Sequence, residues 1–266
     1  MSNSIKEVVK DRYGKIARES KQTASSCCSG GCCCSTEFSD FSDDYQHLGG
    51  YNPDADLGLG CGLPTEYAGI RLGDAVLDLG SGAGNDCFVA RSIVGETGSI
   101  TGLDFTDEML KLAQANNQKL GYHNVQFVKG DIEEMPLPDN AFDVVISNCV
   151  LNLVPDKQLA FAQILRVLKP GGHFCVSDVV VKGDLPPAVR ANAELYAGCV
   201  SGAINLVDYQ GIIARAGFHF IAICKEKPIE IPDSVLLGVL SAEEFHQMMN
   251  SATGLFSVTV TAYKPL

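Results

Sequence analysis

The sequence VLDLGSGAG at residues 76–84 joins a short apolar run to a loop that holds three glycines. Glycine has no Cβ, so at a strand-to-helix turn this loop lets the backbone approach a ligand closely. Gly84 follows Gly82 by two positions, whereas the dinucleotide fingerprint places its third glycine one position later, where Asn85 stands. The loop is not followed by the Lys and Ser or Thr of a nucleotide triphosphate site. It therefore predicts a ligand without a pyrophosphate.

Strand-like and helix-like segments alternate around this loop. Five strands are predicted at residues 75–79, 99–103, 125–128, 142–147 and 173–177. Helices are predicted to begin near Asn85, after Thr106 and at Asp156. Such alternation predicts a parallel sheet with helices on both faces, and alternating residues at 218–225 and 256–263 predict an antiparallel edge. We therefore predict an α/β fold with a doubly wound, Rossmann-like sheet of seven strands.

The composition divides the chain into three predicted parts. Residues 5–18 have helical spacing, but residues 20–36 are almost entirely Ser, Cys, Gly and Thr. We expect a flexible, Cys-rich arm at residues 1–50, a cofactor-binding domain at residues 51–180, and a substrate-binding cap with the sheet edge at residues 181–266.

The charge of the chain limits its partners and its location. The 266 residues include 32 acidic and 20 basic side chains, for a formal charge of -12, which repels nucleic acid. The sequence lacks an apolar run long enough for a membrane span and an apolar stretch near the N-terminus for secretion. We expect a cytoplasmic protein that binds neither nucleic acid nor membranes.

Acidic residues follow three successive predicted strands or lie at their ends. Asp104 is placed to accept hydrogen bonds from two ribose hydroxyls, and Asp131 with Ile132 to hold an adenine ring. Asp78 and the glycine-loop backbone are placed to hold an amino acid group. Three carboxylates suit a ligand that carries an ammonium and a sulfonium charge, and they repel a phosphate. Each aspartate taken alone is also typical of an ordinary helix cap or turn.

As a set, these residues resemble the signature of the class I methyltransferases over residues 75–177. The resemblance implies S-adenosylmethionine as cofactor. The predicted cofactor-binding residues are Asp78, Gly80, Ser81, Gly82, Asp104, Phe105, Met109, Asp131, Ile132 and Asn148.

The 11 cysteines fall into different settings. Cys87, Cys175 and Cys224 stand among apolar residues, which predicts buried structural thiols. Cys149 follows the fourth strand, at the sheet edge where ligands bind, so its thiol is expected to face the sulfonium methyl group. Cys61 and Cys199 have flexible glycine neighbours and few apolar ones.

Cys61 in its Gly-Cys-Gly loop, Cys149 in the segment NCVLN, and Cys199 together resemble the arsenite methyltransferases. The resemblance implies trivalent arsenic, delivered as arsenite or a thiol conjugate, with Cys61, Cys149 and Cys199 as its ligands. Soft thiolates select such thiophilic centres and leave the arsenic lone pair as the nucleophile. In-line methyl transfer then requires proximity and exclusion of water rather than a general base.

Five further cysteines, at positions 27, 28, 32, 33 and 34, depart from the family pattern of one cysteine in this region. The resemblance implies that Cys32 or Cys33 acts with Cys61 by forming a disulfide, which a glutathione or thioredoxin system reduces. The other cysteines could gather metalloid, coordinate adventitious zinc or belong to a poorly ordered tail.

Two other hypotheses fit the same residues. One is a methyltransferase for an organic acceptor, such as a quinone, sterol or halide, in which the cysteines only pack. The other is a protein that sequesters metals or metalloids through its Cys-rich arm.

Overall fold

The predicted strands form one continuous sheet. The computed structural model describes residues 2–23, 43–191, 202–230, 233–251 and 253–266. Its strands are β1 (Ala75–Leu79), β2 (Ser99–Asp104), β3 (Val125–Lys129), β4 (Phe142–Asn148), β5 (Leu168–Lys182), β6 (His219–Ile229) and β7 (Gly254–Tyr263). They lie in the order β3-β2-β1-β4-β5-β7-β6, with β1 to β5 parallel and β7 antiparallel to both of its neighbours. The predicted seven-stranded, doubly wound fold is confirmed.

Helices connect the strands and cover both faces of the sheet. They are α1 (Ser2–Thr23), α2 (Pro64–Tyr67), α3 (Asn85–Val94), α4 (Asp107–Leu120), α5 (Lys157–Val167), α6 (Pro187–Ala191), α7 (Leu206–Arg215), α8 (Asp233–Leu237) and α9 (Ala242–Met249). The side chain of Asp156 caps α5 by accepting a hydrogen bond from the backbone of Leu159, and a capping box between Ser241 and Glu244 begins α9. Within the described ranges, no helix combines the length and apolarity needed to cross a bilayer.

The fifth strand is longer than predicted. We expected residues 173–177, but β5 begins at Leu168, which pairs with Phe142 before the turn that contains Gly171 and Gly172. It then continues past Ser177 to Lys182, because β7 pairs with this whole stretch. The boundary proposed at residue 180 therefore falls inside a strand. The division into residues 1–50, 51–180 and 181–266 stays a prediction.

The core includes apolar clusters on the two faces of the sheet and a third cluster beyond the strand ends. Leu77 and Val76 are neighbours in β1, and their side chains enter clusters on opposite faces, as the strand period of two requires. The third cluster contains Cys61, Cys149 and Val9. It lies beside the carboxyl ends of the parallel strands, where doubly wound folds bind ligands.

Candidate active site

A cavity opens at the carboxyl ends of β1 to β4. It is lined by all the predicted cofactor-binding residues: Asp78, Gly80, Ser81, Gly82, Asp104, Phe105, Met109, Asp131, Ile132 and Asn148. They meet because parallel strands place their carboxyl ends at one edge of the sheet. Their role in binding a cofactor stays a prediction.

The glycine loop lies tightly between β2 and the segment that follows β4. The backbone N–H of Gly80 donates to the carbonyl of Leu103 at 2.8 Å, and that of Gly82 donates to Asp104 Oδ2 at 3.0 Å. Gly80 has φ +67°, and a Cβ on it would stand 2.7 Å from Val150 Cγ1. A larger residue at this position would meet both backbone strain and a clash. The loop that lines the cavity therefore touches the segment that carries Cys149.

Buried carboxylates give one wall of the cavity its electrostatic character. Burial raises the pKa of Asp78, and the nearby charge of Asp86 raises it further. Burial also raises the pKa of Asp104, although the backbone N–H groups of Thr106 and Gly82 oppose this shift. Such groups favour a cationic ligand, which stabilises their charged forms. The buried hydroxyl of Ser81 has no hydrogen-bond partner among the described residues, so it is available to a ligand.

Helix α1 covers the other side of the cavity. Lys6, Val9 and Tyr13 line it, and Lys6 Nζ lies 2.6 Å from Asp131 Oδ2 and also pairs with Glu133. The helix packs against α4. Ile5, Val9 and Tyr13 of this helix pack in the third cluster, whereas the flexible character predicted for the arm over residues 1–50 stays a prediction.

Two of the three predicted arsenic ligands lie together. Cys61 and Cys149 are buried in the third cluster with Val179 and Leu255. The expectation that Cys61 has few apolar neighbours is therefore wrong, because neighbours distant in sequence surround it. Cys149 lines the cavity and has φ +59°, in the left-handed region that non-glycine residues rarely adopt. The predicted site residues Cys199, Cys32 and Cys33 lie outside the described residues.

Asn148 connects the two cysteine segments. Its Oδ1 accepts from the Cys61 backbone N–H at 3.0 Å, and its Nδ2 donates to the Gly62 carbonyl at 2.8 Å. The same Nδ2 contacts Asp86 Oδ2 at 3.2 Å and the Tyr45 hydroxyl at 2.5 Å. Burial raises the pKa of Asp86 to about 6, although the hydrogen bonds that Asn148 and Tyr45 donate to this carboxylate oppose the shift.

Sequence reasoning missed Tyr45 and Asp86. Asp86 had a local signal, because it is a carboxylate in the first helical turn after the glycine loop. Tyr45 had none, since its partner Asp86 lies 41 positions away.

A likeness to known proteins places the chain in a family. Residues 70–253 match a family model described as a methyltransferase domain. The crystal structure of an arsenic(III) S-adenosylmethionine methyltransferase from Chlamydomonas reinhardtii is 38% identical in sequence, with a TM-score of 0.66 over 77% of this chain and 68% of that chain. This chain belongs to the arsenite methyltransferases.

Curated relatives carry the same family name. An arsenite methyltransferase of Halobacterium salinarum is 46% identical over 169 residues, which are 64% of this chain and 43% of that protein. The one from Mus musculus is 36% identical over 192 residues, which are 68% of this chain and 50% of that protein. The chain thus spans about half the length of the curated relatives it matches.

In this methyltransferase, a buried polar network supports the segment that follows Cys149. Lys157 Nζ donates to the carbonyls of Asn152 at 2.9 Å and Val154 at 3.0 Å. The Tyr209 hydroxyl donates to Asp178 Oδ2 at 3.0 Å. Burial raises the pKa of Asp178 to about 6, although the nearby Lys157 opposes the shift. The backbone on the C-terminal side of Cys149 is therefore held by the Lys157 side chain at the start of α5.

The remaining described cysteines lie outside the third cluster. Cys87 and Cys175 are buried as predicted. The prediction of a buried Cys224 is wrong, because it is exposed on β6, at the edge of the sheet.

Proposed function

We propose that this protein transfers methyl groups from S-adenosylmethionine to trivalent arsenic bound by Cys61, Cys149 and Cys199, and so detoxifies arsenic. The observation that supports this most is the shared cluster of Cys61 and Cys149 beside a cavity lined with carboxylates. Soft thiolates prefer trivalent arsenic, whereas the buried carboxylates favour a cationic methyl donor.

The donor half of the cavity matches the chemical groups of S-adenosylmethionine. Asp104 accepts from the ribose hydroxyls, Asp131 and Ile132 hold the adenine, and Asp78 with the glycine-loop backbone holds the amino acid end. Phe105 and Met109 supply the apolar part of this wall. When bound, the cofactor supplies a methyl carbon that its sulfonium charge activates.

On the acceptor side, three cysteine thiols displace three water molecules from arsenous acid and leave the arsenic lone pair exposed. The apolar cluster around Cys61 and Cys149 keeps water from the reacting atoms. Attack by the lone pair forms an As–C bond, the C–S bond of the sulfonium breaks, and arsenic formally loses two electrons. Two thiols return these electrons and become a disulfide.

The electrons for this reduction come from cysteines of the chain and from a thiol system. Cys61 with Cys32 or Cys33 forms the disulfide, and glutathione or thioredoxin restores the thiols.

The test uses purified full-length protein with arsenite, glutathione and S-adenosylmethionine labelled in its methyl group. We expect label in methylated arsenic species, separated by chromatography. If cofactor binding is measured and label reaches an organic acceptor but not arsenic, the protein is instead an organic-acceptor methyltransferase.

A variant of the Cys-rich arm tests the sequestration hypothesis. Replacing the five arm cysteines by serine leaves α1 unchanged. If this variant keeps single-turnover transfer to arsenite, catalysis rather than storage is the function of the fold. If the wild-type protein binds metalloid without turnover and the variant loses this binding, the sequestration hypothesis is favoured.

A further inference from the structure

We infer that Asn148 is a positioning residue that fixes the Cys61 thiol relative to the Cys149 thiol. This inference rests on the proposed function and adds to it. Asn148 is the last residue of β4 and directly precedes Cys149, while its side chain binds the backbone on both sides of the Cys61 side chain, at the Cys61 N–H and the Gly62 carbonyl. One residue thus controls the placement of two segments that are 87 positions apart.

The hydrogen bonds of Asn148 account for its full donor capacity. A side-chain amide has two N–H donors, and three acceptors already surround Nδ2: the Gly62 carbonyl, the Asp86 carboxylate and the Tyr45 hydroxyl. Asp86 can only accept when ionised, which orients the amide with Oδ1 toward Cys61. Asn148 therefore lines the donor cavity without a spare N–H donor for the cofactor, and its predicted cofactor-binding role stays a prediction beside this positioning role.

The loop around Cys61 is shaped to lie against Asn148. A Cβ on Gly60 would stand 2.7 Å from Asn148 Nδ2, and a Cβ on Gly62 would stand 2.6 Å from Ser177 Oγ. From the opposite side, the Ser257 hydroxyl donates to the Cys61 carbonyl. The glycines on either side of Cys61 thus permit a close approach that the Asn148 amide then fixes.

Fixing two thiols in advance matters because arsenic must bind both at once. When one thiol has bound, the second binds as an intramolecular ligand, and its advantage depends on how well the protein already holds it. Without the Asn148 amide, the Cys61 loop retains the Ser257 contact but loses its tie to β4. Affinity for a two-thiol arsenical then falls, while the donor cavity keeps its carboxylates and glycine loop.

The test measures binding of phenylarsine oxide, which forms two As–S bonds with two thiols and releases one water. The full-length background carries serine in place of the five arm cysteines, so that these do not compete. We expect Asn148→Ala to weaken binding about tenfold or more, and S-adenosylmethionine affinity to stay within about twofold.

The matched control is Asn124→Ala. Asn124 also holds a glycine loop, donating to the carbonyls of Gly95 at 2.9 Å and Gly98 at 2.8 Å. It directly precedes β3, however, and so lies at the amino ends of the parallel strands, whereas the cavity lies at their carboxyl ends. We expect this variant to lower thermal stability without changing the affinity for either ligand.

Each outcome decides the inference. Unchanged phenylarsine oxide binding in Asn148→Ala overturns it, as does a loss confined to the cofactor. If Asn148→Ala does not fold, Asn148→Leu decides: it nearly keeps the side-chain volume and removes both hydrogen bonds to the Cys61 loop, so a loss of about threefold or more supports the inference and no loss overturns it. A wild-type protein that binds phenylarsine oxide but does not methylate arsenite would refute the proposed function alone.

Discussion

The two halves of the candidate site are built in different ways. The donor half comes from a loop that is continuous in sequence and from aspartates that each end or follow one strand. The acceptor half joins Cys61, which precedes β1, to Cys149, which follows β4, and Asn148 bonds the two segments. Local motifs therefore define the donor half, whereas tertiary contacts define the acceptor half. A substitution in one half should therefore impair binding or turnover of the ligand of that half and leave binding of the other ligand unchanged.

The largest effect is expected for Cys149→Ser. A hydroxyl is a poor ligand for a soft centre, so methylation of arsenite should fall by about 1000-fold or more, and S-adenosylmethionine affinity should stay within about twofold. Turnover with arsenite and calorimetric titration of the cofactor measure the two quantities. Cys224→Ser is the control, because Cys224 is exposed on β6 and should tolerate the change. Full activity in Cys149→Ser would favour an organic acceptor.

Asp104→Asn is expected to impair the donor half and to leave the acceptor half unchanged. Loss of two charge-assisted hydrogen bonds to the ribose should weaken S-adenosylmethionine binding about 100-fold, with phenylarsine oxide binding unchanged. Asp107→Asn is the control three positions away, where the carboxylate is exposed and pairs with Lys129 at 2.6 Å. If both variants bind the cofactor equally well, Asp104 does not hold the ribose.

The difference between local motifs and tertiary contacts also explains which site residues could be predicted from the sequence. Gly80 and Asp104 were found because a consecutive motif and the ends of predicted strands locate them. Lys6 was not found as a cavity residue, since its partner Asp131 is 125 positions away. The burial of Cys61 was also mispredicted, because glycines flank it locally and its apolar neighbours come from β5, β7 and α1. The helical spacing of residues 5–18 indicated a helix, but not that this helix would line the cavity.

A third substitution tests where the two halves touch. In Gly80→Ala the new Cβ meets Val150, so the loop and the Cys149 segment should both shift, lowering kcat/KM about tenfold or more. Val150→Ala removes the methyl groups in its path. In a double-mutant cycle, the pair should therefore lose less activity than the sum of the single variants. Additive losses would show that backbone strain at Gly80, rather than contact between the halves, limits activity.

The smallest effect is expected for Lys6→Met, which tests whether α1 closes the donor half. Lys6 pairs with Asp131 and Glu133 across the cavity, and partly exposed ion pairs contribute little each. Release of S-adenosylmethionine, followed by stopped-flow fluorescence, should become about threefold faster.

Salt and a second lysine complete this test. Added salt should speed release from the wild-type protein toward the rate of Lys6→Met and change the variant less, because salt screens the pair that the variant lacks. Lys15→Met is the matched control on the same helix, since Lys15 is largely exposed and, among the residues that the structure describes, forms an ion pair only with Glu19 at 3.8 Å. Slower release from Lys6→Met would contradict closure by α1. It would show instead that Lys6 competes with the adenine amino group for Asp131, which makes the ion pair an obstacle to cofactor binding.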